Sequence, residues 1–146
     1  MAGVKPHEYL LGTGGFILLA GIIISLIFGA IGTFTTVELM KVLIAMSVNV
    51  VASILLGASI GLLAKNQQAA TATAMPVAVI LGFTPMIASF NGTIEKAASV
   101  LYTKQLNVIL NDFATNFPKA LVVMGINIAV LIVLFIIAYV KNGLKG

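Results

Sequence analysis

Apolar residues fill long uninterrupted stretches of this chain, and polar side chains gather between those stretches instead of alternating within them. The first stretch, residues 14–34, is rich in Ile and Leu and holds one interior hydroxyl, Ser25. It is long enough for a membrane-spanning helix, which needs about 20 apolar residues. Gly21 and Gly29 lie eight positions apart, close to one helical face, and small residues there let a second helix approach. Thr35-Thr36-Val37-Glu38 follows, a capping-box pattern. It predicts a second helix from about Thr36 to Ala64, longer than the ~30 Å hydrocarbon core requires. Lys41 sits in its first turns, where it can snorkel to the interface.

Residues 65–74 are polar and read as a loop. The apolar stretch 75–90 is short for a span and contains Pro76 and Pro85. Pro76 suits a first helical turn. Pro85 removes a backbone donor further in, so the third helix is expected to kink or end there. Residues 91–117 differ in kind. Ile94, Ala98, Leu101, Tyr102, Leu106, Ile109 and Phe113 fall near one helical face, while Glu95, Lys96, Ser99, Thr103, Lys104, Asn107 and Asn111 occupy the rest. This pattern predicts an amphipathic helix too polar to span, lying at the interface or dipping into the bundle. Pro118 opens the last span, 118–140, and residues 141–146 form a polar tail. The fold class that follows is an all-α integral membrane protein with four transmembrane helices and an interfacial or re-entrant amphipathic helix between the third and fourth.

Composition agrees. The 146 residues are 60% hydrophobic and 8% charged, against about 25% charged in a soluble domain. Lipid must replace water around most of the surface. No leader peptide is evident, since the first apolar stretch is too long for one. All eight basic residues are Lys and they are spread along the chain, so nucleic acid has no basic face to bind. With four spans, Lys5, Lys65, Lys141 and Lys145 share one side, and Lys41, Lys96, Lys104 and Lys119 share the other. Lys counting is therefore tied. The compact Lys65 loop and the Lys-bearing tail favour cytoplasmic termini in a cell membrane.

Chemistry is sparse. There is no Cys, and His7 is the single histidine. The sequence has no GxxxxGK[ST] phosphate loop, no HExxH and no GxSxG. No catalytic, cofactor-binding or metal-ligating set is expected, and an intramembrane enzyme is disfavoured. No acidic residue lies mid-span, which disfavours a self-powered proton-coupled carrier. The intramembrane polar residues Asn49, Thr84, Ser89 and Asn127 are the candidates for a substrate path, and interhelical hydrogen bonding is the plainer role for each.

Residues 61–113, GLLAKNQQAATATAMPVAVILGFTPMIASFNGTIEKAASVLYTKQLNVILNDF, resemble the C-terminal half of ABC-2 type permease subunits. The likeness is carried by Lys65-Asn66-Gln67 after a long helix, Pro76, Pro85-Met86, and Leu101-Tyr102-Thr103. Ala138-Tyr139-Val140-Lys141 and the segment from Gly3 to Gly12 are similar too. The resemblance implies an export permease using alternating access, driven by ATP on a partner ABC ATPase subunit, with a second permease copy or a separate N-terminal permease half, and with lipid around it. Such permeases usually have six spans, so this chain is expected to lack the first two. It further implies that residues 1–13 are a cytosolic coupling-region remnant with Lys5, Glu8 and Tyr9 as ATPase contacts, and that 91–117 lies on the outer side. The competing expectation is a small non-transporting accessory or immunity protein derived from a truncated permease.

Overall fold

The computed structural model describes residues 6–112 and 117–143. Among them every regular element is helical: α1 Pro6–Ile31, α2 Thr36–Leu63, α3 Gln67–Ala88, α4 Gly92–Ala98, α5 Tyr102–Asn111 and α6 Phe117–Ala138, the last continuing into a π-helical turn Tyr139–Gly143. Four of these are long and apolar enough to cross a membrane: Gly14–Ile31 within α1, Thr36–Leu63, Gln67–Ala88 and Phe117–Asn142. The chain is a multi-pass membrane protein.

The start of α2 is set by the capping box. The Thr35 hydroxyl accepts from the Glu38 amide at 3.4 Å, and the Glu38 carboxylate accepts from the Thr35 amide at 2.8 Å. Two otherwise unpaired first-turn donors are thereby satisfied.

α1 packs on α2 through its small residues. A Cβ on Gly14, Gly21 or Gly29 would meet Ile54, Val50 or Leu39 respectively. The partner numbers fall as the glycine numbers rise, so the two helices run antiparallel. Ser25, on the same face, is buried and returns its hydroxyl to Gly21 O at 2.7 Å. Its polar group is thereby hidden from lipid.

α2 and α6 run parallel. Near their starts Lys41 Nζ lies 5.5 Å from the Phe117 ring centroid, and at their ends Asn142 Nδ2 donates to Leu62 O at 3.0 Å. Ala45, Ala52 and Ser59 on α2 and Met124, Leu131 and Ala138 on α6 are buried at seven-residue spacing, the repeat of a left-handed helix pair. The chain crosses four times, so Pro6 and Gly143 lie at one end of the bundle.

Three sequence expectations change. α3 begins at Gln67, capped by the Asn66 side chain on the Ala69 amide at 2.8 Å, so most of the expected loop 65–74 is helix. Pro76 consequently stands inside the helix and not in its first turn. The helix passes Pro85 and ends at Ala88, three residues later, with Leu81, Pro85 and Ala88 on its bundle-facing side. The expected single amphipathic helix is two, α4 and α5, joined by a tight turn at Ser99–Leu101. Neither Gly nor Pro marks that turn, which is why periodicity ran through it.

Candidate functional site

α5 packs against α2, α3 and α6. Its Tyr102 and Ile109 belong to the central apolar cluster, together with Ala45, Ala52, Ala120, Met124 and Leu131. A helix of ten residues with Lys, Gln and two Asn thus occupies the middle of the bundle.

Its depth follows from two hydrogen bonds. Tyr102 Oη lies 3.3 Å from Ser53 Oγ. Ser53 already donates to Asn49 O at 3.0 Å, so Tyr102 is the donor to Ser53. Ser53 stands twelve residues from Lys41 and twelve from Lys65, the basic residues flanking α2. Asn127 Nδ2 donates at 2.8 Å both to Val123 O, one turn earlier, and to Val100 O in the α4–α5 turn. Asn127 is ten residues into α6, about 15 Å from its Phe117 end. The tip of the hairpin therefore reaches the middle of the apolar slab, descending on α4 and returning on α5. α4–α5 is a re-entrant hairpin.

Backbone groups at this depth need partners, because lipid offers none. The Asn91 side chain caps α4 on the Thr93 and Ile94 amides at 2.9 and 3.4 Å. Leu101 N–H donates to Ala98 O at 2.8 Å. The buried Gln105 side chain donates to Ser99 O, and Asn127 takes Val100 O. Three successive positions in the turn are thus held by named donors or acceptors.

Charge enters as well. Lys104 belongs to the polar set of the amphipathic pattern, yet its side chain is 9% exposed, and its Nζ lies 4.0 Å from Glu95 Oε1 on α4. A charged side chain within a span is costly and marks a functional region by default. Sequence reasoning missed Lys104, Gln105, Tyr102 and Ser53 as site residues. For Lys104 the face assignment was wrong, because the turn at Ser99 resets the helical phase between α4 and α5, and Gln105 was placed on neither face.

The anticipated residues separate into groups. Asn127 bonds to the hairpin tip, and Asn49 lies one helical turn from Ser53, the partner of Tyr102. Asn127 acts as a clamp, whereas Asn49 Oδ1 is buried without a hydrogen-bond partner. Thr84 and Ser89 do not join them. Each returns its hydroxyl to its own helix, at Ile80 O and Pro85 O. Pro85 is buried as a packing residue on α3. Glu8 and Tyr9 fall within α1, with side chains outside the described set, and Lys5 lies outside the described residues. Among the described residues no group of three His, Asp or Glu side chains could hold a metal ion.

Comparison of the chain with protein-family models, with curated proteins and with solved structures found no match in any of the three. The functional reading therefore rests on the geometry of the hairpin and on the sequence.

Proposed function

We propose that this multi-pass chain is the membrane-spanning permease subunit, or the C-terminal part of one, of an exporter powered by a separate ATP-binding-cassette ATPase. The observation that carries this reading is a charged hairpin inserted to mid-depth in a four-span bundle. A passive anchor has no use for Glu95, Lys96 and Lys104 below the interface, whereas a polar path across the slab needs such groups. The resemblance of residues 61–113 to ABC-2 type permeases supports the same class. The chain carries no phosphate loop, so hydrolysis would occur on the partner. Helix α1 would bring Glu8 and Tyr9, with Lys5 just before it, to the ATPase. Asn49, and with it Thr103, is well placed to meet a passing solute, since the Asn49 carbonyl and the Thr103 hydroxyl have no hydrogen-bond partner inside the bundle.

Gentle detergent extraction of the tagged chain from its native membrane tests this directly. The expected result is co-purification of an ATPase that itself carries a phosphate loop, with vanadate-sensitive hydrolysis in the complex. Recovery of the chain with no nucleotide-binding protein, from membranes where it is abundant, overturns the reading.

A further inference from the structure

The two arms of the hairpin differ in one respect that packing alone does not account for. α5 is enclosed by three spans, but α4 packs mainly on α3 and leaves the rest of its surface open. Every α4 residue except Ala98 is exposed, and so are Ser99 and Val100 in the turn, Val100 at 63%. Glu95 is 60% exposed at its side chain. It is followed directly by Lys96, and consecutive helical residues point about 100° apart. Opposite charges therefore spread over a wide arc of α4, below the interface and on the outside of the bundle.

Three environments can cover such a surface. Hydrocarbon fits poorly, because the exposed charges of Glu95 and Lys96 would stand against it at this depth. A protein partner fits poorly, because Lys and Glu are depleted from the cores of protein interfaces. Water suits both the charges and the open turn. We propose that α4 and the Ser99–Leu101 turn line a water-filled crevice that opens at the Asn91 side and ends near the mid-plane. Glu95 is then wetted on one flank and faces Lys104 Nζ on the other, and water completes the solvation that a pair at 4.0 Å leaves short. The crevice makes half of a crossing at a fixed place in the fold. It does not depend on any ATPase, so it stands or falls separately from the transport reading.

The chain has no cysteine, so single-cysteine variants need no background changes. Lys96→Cys, Ser99→Cys and Val100→Cys would be made in the full chain, in sealed membrane vesicles of known sidedness, and treated with a charged, membrane-impermeant maleimide. Ile132→Cys and Val79→Cys, on exposed apolar faces of α6 and α3, serve as lipid-facing references, and Lys65→Cys reports the opposite side. All three hairpin variants are expected to label to completion from one side only, the side opposite Lys65→Cys, under conditions that leave Ile132→Cys and Val79→Cys unlabelled. The proposal is overturned if Ser99→Cys and Val100→Cys stay unlabelled in vesicles but react after full denaturation, which would place lipid or a protein partner over α4. Labelling of Lys96→Cys without Ser99→Cys also overturns it, because the water would then stop at the interface.

Discussion

The α1–α2 seam and the α5 socket are both helix contacts inside one apolar slab, yet they are held together by different means. α1 meets α2 through absent side chains: Gly14, Gly21 and Gly29 let the backbones close, and most of the remaining described surface of α1 is exposed and apolar. α5 meets its neighbours through hydrogen bonds, from Tyr102 to Ser53 and from Asn127 to the turn, around a fully buried Ile109. In lipid, apolar area gives no net attraction between helices, so close packing and polar contacts must hold them together. The seam uses the first and the socket the second. A helix carrying Lys104, Gln105 and two Asn can stay in the slab because Tyr102, Lys104 and Gln105 find partners there, while the buried Thr103 hydroxyl has none.

Five substitutions probe that contrast, ordered by expected effect on stability measured by unfolding in mild detergent. Ile109→Ala empties the centre of the socket and is expected to cost about 2–5 kcal/mol, the range for deleting a fully buried aliphatic side chain. Gly21→Ala should cost about 1–3 kcal/mol by overpacking. Its Cβ would lie 2.8 Å from Val50 Cγ2, and Val50 is β-branched and stiff. Gly29→Ala should cost less, although its Cβ would come closer, because it meets only the far end of the flexible Leu39 side chain. Equal costs at the two glycines would mean that backbone approach does not govern the seam. Asn127→Leu removes the clamp on Val100 O and should cost about 0.6–1.7 kcal/mol, as interhelical hydrogen bonds in membranes do. Asn49→Leu should be the mildest, neutral or slightly stabilising, since it removes a buried carbonyl that has no partner. A large loss at Asn49 would show that the carbonyl is satisfied in the membrane, for instance by water.

The same contrast explains what the sequence made visible. Long apolar stretches have one stable outcome in lipid, so the four spans could be read directly. So could the α2 capping box and the shared face of Gly21 and Gly29, which depend on residues adjacent in sequence or on one helix. The α3 start was hidden because Gln67 to Ala74 is polar or small, and helix formation there depends on the Asn66 cap more than on hydropathy. The socket was hidden for a deeper reason. Ser53 and Tyr102 are 49 residues apart, and Asn127 and Val100 are 27 apart. No local pattern announces such pairs. Asn49 and Asn127 were picked out as polar residues within spans, but only the tertiary contacts separate the clamp from the open carbonyl.

The central claim is that the α4–α5 turn reaches the middle of the slab, with Tyr102 beside Ser53. A chain without cysteine allows a direct measurement, in which Ser53→Cys/Tyr102→Cys and Lys41→Cys/Tyr102→Cys are treated in membranes with a short bifunctional thiol reagent about as long as a tyrosine ring. Lys41 lies twelve residues from Ser53, about 18 Å nearer the interface. The re-entrant hairpin predicts an efficient intramolecular crosslink in the Ser53→Cys pair and none in the Lys41→Cys pair. The reverse pattern would place α5 at the membrane surface and contradict the account.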